Sequence, residues 1–91
     1  MNIQLTWFGQ LRDVAGVAEE SVVVAEGTSV ADALTAVGRE RGGPLQDLLV
    51  RDGTLSPTLL VSLDDVQVVD VAGTEVTDGS RLVVMTPISG G

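Results

Sequence analysis

The sequence contains no cysteine, no histidine, no lysine and no tyrosine. Without cysteine there is no disulfide framework, no thiolate zinc site and no cysteine nucleophile. Without histidine the chain lacks the side chain best suited to moving protons near neutral pH. Without lysine it cannot branch onto its own kind through isopeptide bonds. Carboxylates, hydroxyls and five arginines are left for chemistry. That inventory is too poor for a stand-alone enzyme and fits a protein whose own end is worked on by others. Trp7 and Phe8 are the only aromatics, so the core must be aliphatic, mostly Val and Leu.

Positive charge is also scarce. Thirteen acidic residues against five arginines leave a net charge of −8. Such a surface repels nucleic-acid phosphates and anionic membranes, and no basic stripe or aromatic platform offsets it. The acidity reads first as solubility and second as steering toward a basic partner. No apolar run approaches the ~20 residues of a membrane span. No basic segment followed by an apolar stretch opens the sequence, so the expected location is the cytoplasm.

What is present is a single domain's worth of chain, 91 residues and 44% apolar. Ile3, Leu5 and Trp7 alternate with Gln4, Thr6 and Phe8, which predicts a first strand. If Trp7 faces the core, Phe8 faces out. Gly9 to Gly16 reads as a connector with one helical turn, and Ser21 to Ala25 as a second strand pairing antiparallel with the first. Ser29 is a candidate N-cap, with Asp32 as the carboxylate of a capping box. Val30, Ala33, Leu34 and Val37 then mark one face of a helix, Arg39 and Arg41 lie near its end, and Gly42-Gly43-Pro44 terminates it. Residues 44–50 add a short helical turn, and 51–57 read as a loop. Leu59 to Leu63 and Val66 to Val69 are strands joined at Asp64-Asp65, and Arg81 to Thr86 is the last strand. Asp64, Asp65 and Asp70 lack oxygen-ligand spacing and read as solvated turns, so no metal site is expected.

This order, ββαββ with a further short strand, predicts an α+β fold of the β-grasp type, a mixed sheet of four to five strands covered by one main helix. The domain is expected over 1–86 and a flexible Gly-Gly tail over 87–91. Pro87 has no backbone donor, which suits the point where a chain leaves a sheet. Beyond it, Ile88, Ser89, Gly90 and Gly91 would reach, with Pro87, roughly 15 Å when extended. Glycine has no Cβ, so a Gly-Gly end threads a narrow active site where a branched residue would clash. Its one reactive group would be the Gly91 carboxylate.

Phe8-Gly9-Gln10-Leu11-Arg12-Asp13 with Gly16, and Thr77-Asp78-Gly79-Ser80 followed by an apolar strand and Thr86-Pro87-Ile88-Ser89-Gly90-Gly91, resemble the corresponding segments of the ubiquitin-like sulfur carriers. The likeness is greatest to the molybdopterin synthase small subunit, and the stretch between Gly42 and Pro57 fits that subunit better than the shorter thiamine carrier. Thr86 stands where the family has a first proline, and Leu63-Asp64-Asp65 replaces its usual hairpin.

The resemblance implies that an E1-like adenylyltransferase uses ATP and Mg²⁺ to activate Gly91. A persulfide sulfur donor then makes a thiocarboxylate, and a large subunit consumes it, the two subunits forming a heterotetramer. No cofactor would be bound by this chain itself. It also implies that Phe8, with Arg12, meets these partners, and Leu59 is taken with them as the outward member of the Leu59-Leu60 pair. Three other readings stand beside it: a carrier for another pathway (thiazole, cysteine or a thio-metabolite), a protein modifier joined through Gly91, and a β-grasp interaction module without catalysis.

Overall fold

Alternation along the first strand sorts its side chains cleanly. In the computed structural model, which describes residues 1–87, Ile3, Leu5 and Trp7 are buried on one face while Asn2 and Gln4 are exposed on the other. The elements in chain order are β1 (Asn2–Trp7), α1 (Gln10–Ala15), β2 (Glu19–Val23), α2 (Val30–Arg41), α3 (Gly43–Leu49), β3 (Val50–Arg51), β4 (Thr54–Leu55), β5 (Leu60–Leu63), β6 (Val66–Gln67) and β7 (Arg81–Met85).

Five strands form one mixed sheet in the order β2-β1-β7-β5-β6. β1 and β7 run parallel in its interior, Leu5 beside Leu82 and Trp7 beside Val84. β2 pairs antiparallel with β1, and β5 with β7. The apolar stripe of α2 (Val30, Ala33, Leu34, Val37) joins Ile3, Leu5, Trp7, Val61, Leu82 and Val84 in a single aliphatic core around Trp7. This is the β-grasp arrangement expected from the element order, with five strands.

Local chemistry explains where the structure departs from the sequence reading. The expected connector is helix α1, anchored by fully buried Leu11 and closed by Gly16 in the left-handed region at φ 80°. β2 starts at Glu19 rather than Ser21. The Trp7 N–H donates to Ala18 O at 2.9 Å, which carries the ladder back past two glutamates that do not read as strand. Glu20 tolerates its half-buried position because its carboxylate accepts from Trp7 Nε1 at 2.7 Å and pairs with Arg41. Only half of the expected capping box forms. Ser29 Oγ accepts from the Asp32 N–H at 3.0 Å, and no bond back from the Asp32 carboxylate is found among the described residues.

The turn after α2 is a complete helix, α3, with Pro44 in its first turn. Gly38 lets it approach: a Cβ there would lie 3.4 Å from Leu49 Cβ. The expected 51–57 loop contains a small antiparallel pair, β3 with β4, turned by Asp52 (φ 54°) and Gly53 (φ 80°). Asp64 (φ 49°) and Asp65 (φ 71°) make the same two-residue turn between β5 and β6. Aspartate tolerates that region, and Asp64 Oδ1 also accepts from the Arg81 N–H at 2.9 Å. β6 is only two residues long, and Val69, expected within it, is almost fully exposed.

Truncating Leu82, fully buried in the central strand, should cost about 2–5 kcal/mol. Removing the N-cap hydroxyl with Ser29→Ala should cost about 1 kcal/mol. Urea denaturation of the two variants checks both; near-equal losses would contradict this division of stability.

Candidate functional site

The site is the open face of the sheet where β7 hands over to Pro87. In β7, Leu82 and Val84 point into the core, so Arg81, Val83 and Met85 project from the opposite face. Met85 lies directly across from Leu60 on β5. Phe8 prolongs the pairing on the other side, its N–H donating to Val84 O at 3.0 Å.

Met85 therefore links two shallow hollows. One, of about 230 Å³, is lined by Leu60, Val61, Ser62, Gln67 and Met85. The other, of about 240 Å³, is lined by Phe8, Gly9, Met85 and Thr86. Phe8 is 47%, Leu60 43% and Met85 36% exposed. Three large apolar side chains meeting on an exposed sheet face, with Ser62 and Gln67 at the margin, form a surface suited to docking a protein. It carries no group for acid–base or nucleophilic chemistry beyond the Ser62 and Thr86 hydroxyls. Its chemical capacity is to hold a partner at the root of the following segment.

Trp7 is 1% exposed and Phe8 faces out, as strand alternation requires. Arg12 is an exposed residue of α1, outside both hollows. Leu59 needs correction. It is half-buried against the core just before β5 begins, and Leu60 is the outward residue of the pair. Pro87 is exposed. Ile88, Ser89, Gly90 and Gly91 lie outside the described residues. Met85 is not among the residues that the sequence pattern singles out. The signal was available, because Leu82 and Val84 as inward residues make Met85 outward.

The aspartates act locally. Asp70 accepts from the Gly73 N–H at 3.0 Å, and Asp78 from the Asn2 N–H at 2.8 Å. Among the described residues no three potential ligands gather as a metal site would need. No helix among them is long and apolar enough to cross a membrane.

Comparison with known proteins gives a consistent picture. The model of the ThiS family matches residues 5–91. The crystal structure of SAMP1 from Haloferax volcanii superposes with a TM-score of 0.84 at 25% identity, covering 100% of both chains. The solution structure of the HVO 2177 protein from Haloferax volcanii gives 0.80 at 29% identity, covering 100% of this chain and 87% of that one. A chain from the complex of subunits 1 and 2 of molybdopterin-converting factor of Helicobacter pylori gives 0.65 at 19% identity, covering 100% of both. No curated protein matches the chain.

Because Phe8 is half exposed and Trp7 buried, Phe8→Ala should shift the unfolding free energy by under about 1 kcal/mol, against about 3–5 kcal/mol for Trp7→Ala. Thermal melts of the two variants decide this. A large loss on truncating Phe8 would make it a core residue and dissolve the proposed docking strip.

Proposed function

The chain belongs to the ThiS family of ubiquitin-like sulfur carriers, and we propose that it carries sulfur on the carboxyl group of Gly91 as the small subunit of a molybdopterin synthase. The observation that carries this reading is the run of the family match through Gly90-Gly91, onto a fold whose central strand leads into that segment beside an exposed apolar strip.

A carboxylate resists nucleophiles, so it must first be activated. An E1-like adenylyltransferase supplies ATP and Mg²⁺. A Gly91 carboxylate oxygen attacks the α-phosphate, pyrophosphate leaves, and an acyl-adenylate forms. The terminal sulfur of a donor persulfide attacks the acyl carbon and expels AMP. A second thiol then cleaves the resulting acyl disulfide, leaving sulfur on the glycyl carbonyl as a thiocarboxylate. That sulfur is a softer and stronger nucleophile than the oxygen it replaces. In the large subunit it attacks a carbon of the cyclic pyranopterin substrate and displaces an oxygen leaving group there; water then hydrolyses the acyl carbon–sulfur bond, leaving the sulfur on the pterin and the carboxylate restored on Gly91.

The residues of this chain contribute binding and presentation. Phe8, Leu60 and Met85 seat the partner, with Arg12 on the neighbouring helix as a further contact. The absence of a Cβ at Gly90 and Gly91 permits passage through a narrow channel. The likeness to a chain from the complex of two molybdopterin-converting subunits supports a paired assembly, and the Phe8 to Gly16 segment favours the molybdopterin carrier over the thiamine one. A second reading, a protein modifier joined to target lysines through Gly91, draws on the full-length likeness to SAMP1, a small archaeal modifier protein.

Incubation with an E1-like enzyme, ATP, Mg²⁺ and a persulfide donor should produce an oxygen-for-sulfur mass increase confined to Gly91 by intact and fragment mass spectrometry. Adding the large subunit with its pterin substrate should reverse it. Gly91→Ala, or a residue appended after Gly91, should abolish loading while leaving the melting temperature unchanged. Full loading of a Gly91-deleted chain would refute the carrier reading. A thiocarboxylate that survives the large subunit would move the protein to another pathway, and adducts on target lysines would favour the modifier.

A further inference from the structure

Among the described residues no strand pairs with the outer side of β2, and the hydrogen-bonding phase of that edge follows residue by residue. β2 stands at the end of the strand order. Met1 and Val24 exchange both backbone bonds, at 2.8 and 2.9 Å, and Trp7 N–H donates to Ala18 O. Antiparallel pairing alternates, so Val22 and Glu20 also turn their backbone groups toward β1, opposite Ile3 and Leu5. Gln4, in the opposite phase, turns toward β7 and donates to Ser80 O at 2.8 Å. Glu19, Ser21 and Val23 therefore aim their N–H and C=O groups away from the sheet. Each of the three offers one donor and one acceptor. The opposite edge, β6, is only two residues long.

A groove of about 350 Å³ runs along the inner side of this edge, between β2 and α2. Val22 and Val37 contribute apolar surface, and Glu20, Glu40 and Arg41 the polar lining. Arg41 is committed to Glu20 and to Ala15 O at 3.3 Å. With Glu19 exposed on the strand, the edge carries three acidic groups against one arginine already engaged. Val23 is 79% exposed on the outer face. Open edge strands are usually blunted by brevity, proline, covering elements or charge, and among the described residues β2 has only charge, all of it negative, which disfavours another acidic strand and leaves a basic one acceptable.

We propose that the β2 edge takes up an extended, basic segment of a partner protein as a sixth strand of the sheet. Its backbone pairs with Glu19, Ser21 and Val23. Its inward side chains, apolar ones, lie over Val22 and Val37. Its outward side chains, basic ones, meet Glu19 on the outer face of β2. The charge selects this occupant over a second copy of the chain, because two molecules of net charge −8 repel at a shared edge. The surface is separate from the Phe8, Leu60 and Met85 strip, so both can be occupied together. Backbone pairing supplies the affinity and the alternate side chains the selectivity.

The test uses the full chain, isotopically labelled, with a short synthetic peptide alternating Val and Lys and a matched Val and Glu peptide. The Lys peptide should slow amide exchange at Glu19, Ser21 and Val23 and shift their resonances; the Glu peptide should do neither. Ser21→Pro deletes an outward N–H without touching the ladder to β1, and should weaken binding about tenfold or more. Should that variant not fold, Glu19→Lys and a Lys peptide with N-methylated backbone should each weaken binding on the folded chain. No change at the three amides, equal response to both peptides, or shifts confined to Phe8, Leu60 and Met85 would overturn the proposal. Slow tumbling of the free chain that Ser21→Pro abolishes would assign the edge to a second copy instead, and would also overturn it.

Discussion

The parallel pairing of β1 with β7 is the constraint on which the rest depends. It places the first and last strands of the described chain side by side in the middle of the sheet, so each is held by neighbours on both sides. Leu5 and Leu82, adjacent in that pair, are fully buried. The segment beyond Met85 thus departs from the most firmly held strand rather than from an edge. The proposed carrier function needs a fixed origin for the segment that follows, and a central strand supplies it more firmly than an edge strand would.

Sidedness follows from the same pairing. Successive residues of a strand face opposite ways, and this chain uses that twice at the same end of the sheet. Trp7 goes into the core and Phe8 out of it; Val84 goes in and Met85 out. The helix covers one face only, so the core and the docking strip are two sides of the same strands. This economy lets a sequence with two aromatics place one in each role. The proposed carrier function fits the bare reactive inventory, since it asks the domain to hold and present while partners supply the chemistry.

Much of this was legible in the residues. Period-two alternation fixed the faces of β1, and helical spacing fixed the buried stripe of α2. Ser29 announced the helix start. What stayed hidden shares one physical cause, the dependence of local structure on a distant partner. Glu19 and Glu20 look unlike a strand, yet β1 supplies the ladder, and Trp7 with Arg41 neutralises the cost of bringing Glu20 inward. Leu59 and Leu60 cannot be told apart by pattern, because both are leucine and only pairing with Met85 sets the phase. Asp52-Gly53 and Asp64-Asp65 form similar turns from different residues, and aspartate's tolerance of positive φ is easily underrated.

The position of β7 also governs when the molecule becomes usable during its own synthesis. Phe8 is synthesised before Leu60, and Met85, which joins their two hollows, after both. Until β7 slots between β1 and β5, neither strand has its inner neighbour and no composite strip exists. A chain cut short before β7 would therefore lack the composite strip. The topology makes the strip conditional on translation through β7.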